Sequence, residues 1–356
     1  MGITAARRVR EWPAASALGL ATALVLVESL GCATAAPRPG AWERVAPGLV
    51  WPPPPERARI GYLGRIRSGA DLGRTEGWLT RLADTVFGKE PMSLVKPISV
   101  ARNRAGLLVV TDPGIPMVHF FDLQRREYRW LDDELAWLLA SPVGVAVDDQ
   151  GNAYVTDSVR RKVFVFDDQR RLAGEFGGDL LRRPTGIALD SSQERIYVVD
   201  TLACQVLTFD RSGRVLGRFG SCGTGPGQFN GPTYVAVTPD GSLAVSDSLN
   251  FRIQTFRADG TPLGSFGRVG DSAGNFARPK GVASDAQGRL YVVDGAFDNV
   301  QIFDGEDSRL LMAFGASGDG AGEFNLPVGV FLDSTNTIWV ADSFNQCLKV
   351  FRLLEE

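Results

Sequence analysis

From Pro97 onward, short apolar runs of five or six residues alternate with polar breaks rich in Gly, Asp, Asn and Ser. Pro142-Val-Gly-Val-Ala-Val-Asp148 is followed by the turn Asp149-Gln-Gly-Asn152. Ala153-Tyr-Val-Thr-Asp157 and Val163-Phe-Val-Phe-Asp167 come next. Runs that are β-branched and aromatic, punctuated by turn residues, predict strands. A fourth strand follows, as in Arg214-Val-Leu-Gly-Arg-Phe219 after the turn Arg211-Ser-Gly213. No such run is long enough for an ordinary helix.

The four-strand unit recurs. A Val-x-Asp or Val-Asp phrase ends its second strand at Asp112, Asp157, Asp200, Asp247, Asp294 and Asp342, at intervals of 45, 43, 47, 47 and 48 residues. Pro97, Pro142, Pro184, Pro232, Pro279 and Pro327 open the first strands, a position where no ladder donor is needed. Six repeats of this length, built of short strands, predict an all-β, six-bladed β-propeller. They override the soft prior of two domains for 356 residues. The 41 glycines suit a chain of many tight turns.

The last repeat ends soon after Leu348-Lys-Val-Phe351, one strand short. Ala58-Arg-Ile-Gly-Tyr-Leu-Gly-Arg-Ile66 reads as the missing fourth strand, so the N-terminal strand is expected to close the ring on the last blade. Trp78, Leu79, Leu82, Val86 and Phe87 predict a short amphipathic helix between that strand and blade 1.

The repeats resemble the NHL family of six-bladed propellers. The resemblance rests on Asp247-Ser-Leu-Asn-Phe-Arg-Ile-Gln-Thr-Phe256 and on the Gly-x-Phe-x-x-Pro phrases beginning at Gly227, Gly274 and Gly322. Leu131 to Trp137 and Gly178 to Arg183 replace that phrase after blades 1 and 2. Members of the family include zinc-dependent amidating lyases and RNA binders. Related propeller lactonases hold calcium in the central channel.

Ahead of the repeats, Arg7, Arg8 and Arg10 precede a 14-residue apolar run, Ala14 to Val27. This reads as a secretory signal over residues 1–31, too short to span a membrane comfortably. Ser29-Leu-Gly-Cys32 resembles a bacterial lipobox with Cys32 as the lipidated residue, although Leu is usual where Ser29 stands. Cleavage after Ala33-Thr-Ala35 is the rival reading. The Pro- and Ala-rich stretch 32–57, with Pro52 to Pro55 in a row, reads as a polyproline spacer. The globular unit is then 58–356. An exported protein, lipid-anchored at the bacterial envelope, is expected.

The net charge is −3; residues 1–31 carry three Arg against two Glu, leaving −4 for the rest. A mildly acidic body excludes the electrostatic footprint of a nucleic-acid binder. The single histidine, His119, cannot build a three-histidine zinc site and reads as a packed strand residue. The positions after the six prolines carry no acid, so calcium in the channel is a minor alternative, linked to a hydrolase or lactonase activity. The repeated aspartates read as structural, bonding local backbone amides.

The better expectation is a binding face. Tyr234 and Lys280 break the small, neutral ring at the channel mouth. Arg160, Arg161, Lys162, Phe251, Arg252, Phe297, Phe344 and Asn345 lie in loops expected to flank it, where exposed aromatics and arginines serve as anchors. The expected function is a non-catalytic scaffold for a protein, peptide or glycan. Cys204 and Cys222 fall near the ends of one hairpin and are a possible disulfide; Cys347 stands apart.

Overall fold

The computed structural model describes residues 46, 48–73, 92–131, 135 and 137–354. The expected signal, Cys32 and the helix at Trp78 to Phe87 lie outside them. Within them the chain forms six antiparallel sheets of at least four strands, a short parallel pair of Ser221–Cys222 with Gln228–Phe229, and short 3-10 turns. It is a six-bladed β-propeller.

Innermost in each blade stand Ser99–Arg102, Pro142–Val147, Pro184–Asp190, Pro232–Val237, Pro279–Ser284 and Pro327–Leu332. The strands ending in the repeated aspartates follow outward, then a third and a fourth strand. In blade 6 the fourth place is taken by Ile60–Ile66, which pairs antiparallel with Cys347–Leu353 from Ile60↔Leu353 to Ile66↔Leu348. A fifth strand, Val50–Trp51, lies outside it, and Trp51 packs 5.8 Å from the Phe351 ring. Part of the stretch read as a spacer is therefore strand, because Leu49 and Trp51 find an apolar blade edge to cover.

The second strands are the most buried. Leu108, Val110, Val155, Val198, Val245 and Val292 are fully enclosed between neighbouring blades. The Gly-x-Phe-x-x-Pro phrases place Phe229, Phe276 and Phe324, each fully buried, between blades. Each joins a ring from the preceding fourth strand and one from the following third strand. In one such trio Phe219 and Phe229 lie 4.8 and 5.5 Å from Phe256. Each buried ring contributes roughly 2–3 kcal/mol of apolar burial. Leu94, Leu139 and Leu181 hold the same place, three residues before Pro97, Pro142 and Pro184, and are likewise buried.

Two further devices tie blade to blade. The hydroxyl after the repeated aspartate donates to the carbonyl of the next blade's opening proline: Ser158 to Pro184, Thr201 to Pro232, Ser248 to Pro279 and Ser343 to Pro97, at 2.5–2.7 Å. The last of these links blade 6 to blade 1. The third position of the inner strand is glycine in four blades. A methyl there would fall 2.2 Å from Thr185 O at Gly144 and 2.5 Å from Ile98 O at Gly329, inside the next blade's backbone.

Candidate functional site

Pairings such as Pro142↔Asp157 and Pro279↔Asp294 put the starts of the inner strands and the ends of the second strands on one side of the disc. The loops between strands two and three, and between blades, therefore share one face. Eight exposed large apolar side chains stand on it: Val95, Trp137, Val159, Leu180, Leu202, Leu249, Val269 and Phe344. Val159, Leu202, Leu249 and Phe344 occupy the same place in four blades, two residues after the repeated aspartate, and are 55–65% exposed. The repeat makes them a ring. The other exposed large apolar residues among those described, Leu172, Val215, Leu216 and Leu263, lie on fourth strands at the rim.

The aspartates hold this face together. All six are fully buried. Asp157, for example, accepts N–H groups from Val159 and Arg160 in its own turn and from Ala140 and Ser141 in the preceding loop. Asp112, Asp200 and Asp294 clamp Lys96, Arg183 and Arg278 in the same way. Buried carboxylates satisfied by several N–H groups are scaffolding. Among the described residues no group of three or more His, Cys, Asp or Glu is arranged to hold a metal ion.

Tyr234 is not a mouth residue. It takes the glycine position of blade 4, and its hydroxyl crosses the channel to donate to Ile98 O in the opposite blade at 2.6 Å. Burial raises its pKa. Ser99 occupies the same position in blade 1, small enough to admit the ring, and its hydroxyl accepts from Val145 N–H. Behind Tyr234, on the other side of the disc, lies a cavity of about 280 Å³, lined by residues of all six inner strands, among them Val100, Val145, Ile187 and Val282.

Several other expected contacts are spent within the fold. Arg252 pairs with Asp247 at 2.9 Å and donates to Gly225 O and Gln228 O. Asn345 is buried, bonded to Asp342 and Gly318 O. Lys162 pairs with Glu175, and Arg160 donates to Trp137 O and Leu138 O. Phe251 and Phe297 are half-buried. Arg161 and Phe344 stay exposed. Lys280 sits half-buried in the mouth and pairs with no described carboxylate. Burial, then Arg278 and Arg183, lower its pKa. The sequence reading missed the apolar ring; the Asp-x-Φ spacing carried it.

His119 is fully buried within blade 1, its Nδ1 2.8 Å from the Tyr128 hydroxyl and its Nε2 3.8 Å from Asp112. No substrate could reach it. Cys204 and Cys222 form a disulfide with Cα atoms 5.0 Å apart. Cys347 is free and buried, its thiol pushed up to about 12 by burial and by Asp342, which makes it inert.

The NHL-repeat family model matches residues 139–166 and 324–351, in blades 2 and 6. No curated protein matches the chain. Among solved structures it is similar to a streptogramin B lyase, with 12% identity over 73% of this chain and 94% of that one, and a TM-score of 0.55. A virginiamycin B lyase from Staphylococcus aureus, catalytically inactive with a histidine changed to alanine and crystallised with quinupristin, is 14% identical over 73% and 95%, with a TM-score of 0.53. A gluconolactonase from Xanthomonas campestris is 18% identical over 82% and 98%, with a TM-score of 0.56. At such identities the likeness concerns the propeller fold.

Proposed function

We propose that this chain is a non-catalytic binding propeller, exported and tethered at the bacterial envelope through Cys32, that docks a protein, peptide or glycan on its loop face. The observation that carries this reading is the ring of Val159, Leu202, Leu249 and Phe344, repeated from blade to blade on one side of the disc. Aliphatic and aromatic tips held on a rigid scaffold are unfavourably hydrated when bare, and a partner that covers them removes that cost. Catalysis finds little support. The lyase that loses activity with a histidine has no parallel here, because the sole histidine is enclosed in a blade.

The test is capture from envelope extracts with wild-type protein and with a Leu249→Asp, Phe344→Asp variant, beside metal analysis and an ester and lactone panel. A partner retained by wild type and lost by the variant supports docking. Bound calcium together with turnover abolished by chelator would replace this reading with a channel hydrolase.

A further inference from the structure

We propose that the mouth at the centre of the loop face binds the carboxylates of an acidic, partly apolar peptide segment, with Lys280 as the recessed contact inside a ring of Lys96, Arg183 and Arg278. The proposal rests on the docking reading above and gives that face its ligand class.

The ring follows from the repeat. Lys96, Arg183 and Arg278 are the residues immediately before Pro97, Pro184 and Pro279. They belong to blades 1, 3 and 5, whereas blades 2, 4 and 6 carry Ser141, Gly231 and Leu326 there. Their backbone N–H groups donate to Asp112, Asp200 and Asp294 at 2.9–3.0 Å. Three cationic residues are thereby held by their backbone in alternate blades of the loop face. Lys280 follows Pro279 on the inner strand, and its stem lies over Gly295, where an added methyl carbon would come within 3.5 Å of its Cγ.

Among the described residues these charges have no ion-pair partner. The six aspartates beneath are fully buried and bonded to backbone N–H groups. Farther out, Asp298 accepts from Leu326 N–H and Glu323 from Gly320 N–H. None of the described ion pairs includes Lys96, Arg183, Arg278 or Lys280. Lys96 lies instead 5.8 Å above the Phe344 ring. A half-buried ammonium with guanidinium groups for neighbours is short of an anion, and an incoming carboxylate removes that deficit.

Shape selects the carrier. Because Lys280 is recessed, its partner must project inward on a stem, as a Glu or Asp side chain does and the plane of a bilayer does not. The apolar tips of Leu202, Leu249 and Phe344 are exposed on the same face. An extended segment that alternates carboxylates with aliphatic side chains satisfies both features.

The test is fluorescence anisotropy with labelled decapeptides of alternating Glu and Leu, Gln and Leu, or Lys and Leu, alongside phosphatidylglycerol vesicles. The Glu peptide is expected to bind, more weakly as salt rises. It should lose at least about tenfold affinity in Lys280→Met, or in the exposed double variant Arg183→Gln, Arg278→Gln if the first fails to fold. Arg214→Gln, on the opposite face, should leave binding unchanged. Equal binding of the Gln peptide, unchanged affinity in the cationic variants, binding to vesicles alone, or no binding of the Glu peptide each overturns the proposal. If envelope capture fails in Leu249→Asp, Phe344→Asp but persists in Lys280→Met, the docking face stands and the acidic ligand falls.

Discussion

Lowering the pH from 7 to 4 should cost this protein stability through one identifiable side chain. His119 is the only histidine in the chain, fully buried beside Asp112 and Tyr128. Burial pulls its pKa down from 6.5 to about 4, against the opposite pull of Asp112. The unfolded chain takes up the proton near pH 6.5, and the folded chain only near 4. Between those values the unfolded state binds more protons, so stability rises with pH and falls as pH drops. The stabilisation is complete above about 6.5 and lost at about 4. A shift of roughly 2.5 units corresponds to about 3 kcal/mol. Urea denaturation at half-unit steps between pH 4 and 7.5 measures it. The carboxylates of Asp210, Asp240, Asp259 and Asp333 sit below their usual value, so their losses begin at lower pH. Asp342 sits above its usual value and acts in the opposite sense. His119→Gln separates the two classes, since it keeps a polar side chain but cannot titrate. A wild-type stability that stays flat from 7 to 4.5, or a slope that survives in His119→Gln, refutes the assignment.

Three further outcomes are expected. Tyr234→Phe should lower unfolding free energy by about 1–2 kcal/mol, because Ile98 O loses its donor across the channel; urea titration reads it. Gly144→Ala should cost more than a typical surface change, since the methyl meets Thr185 O at 2.2 Å; a Tm shift of under a degree would show that the blades can part there. Reducing Cys204–Cys222, which closes an 18-residue interval, should cost about 3 kcal/mol in the loop-entropy model, measured as the urea midpoint with and without reductant.

The blades were legible because their signal is redundant. Each inner strand, turn and terminal aspartate is written six times, so one damaged copy does not hide the period. The buried link between blades was only half legible. Phe229, Phe276 and Phe324 stand out in sequence, yet Leu94, Leu139 and Leu181 do the same work without an aromatic signature. Polar roles were harder to read, because a side chain's availability depends on distant backbone. Arg252 and Asn345 look like surface residues until carbonyls some 27 residues away in sequence, Gly225 and Gly318, absorb them. Tyr234 looked like a lip of the channel, and only its reach to Ile98 shows where the ring goes.

That reach has an architectural consequence. The Tyr234 ring spans the bore from blade 4 to blade 1, so it stands between the two ends of the axis. The cations of the loop face and the hollow of about 280 Å³ on the other side lie on opposite sides of that ring. The two sides of the disc can therefore be altered and assayed as independent surfaces.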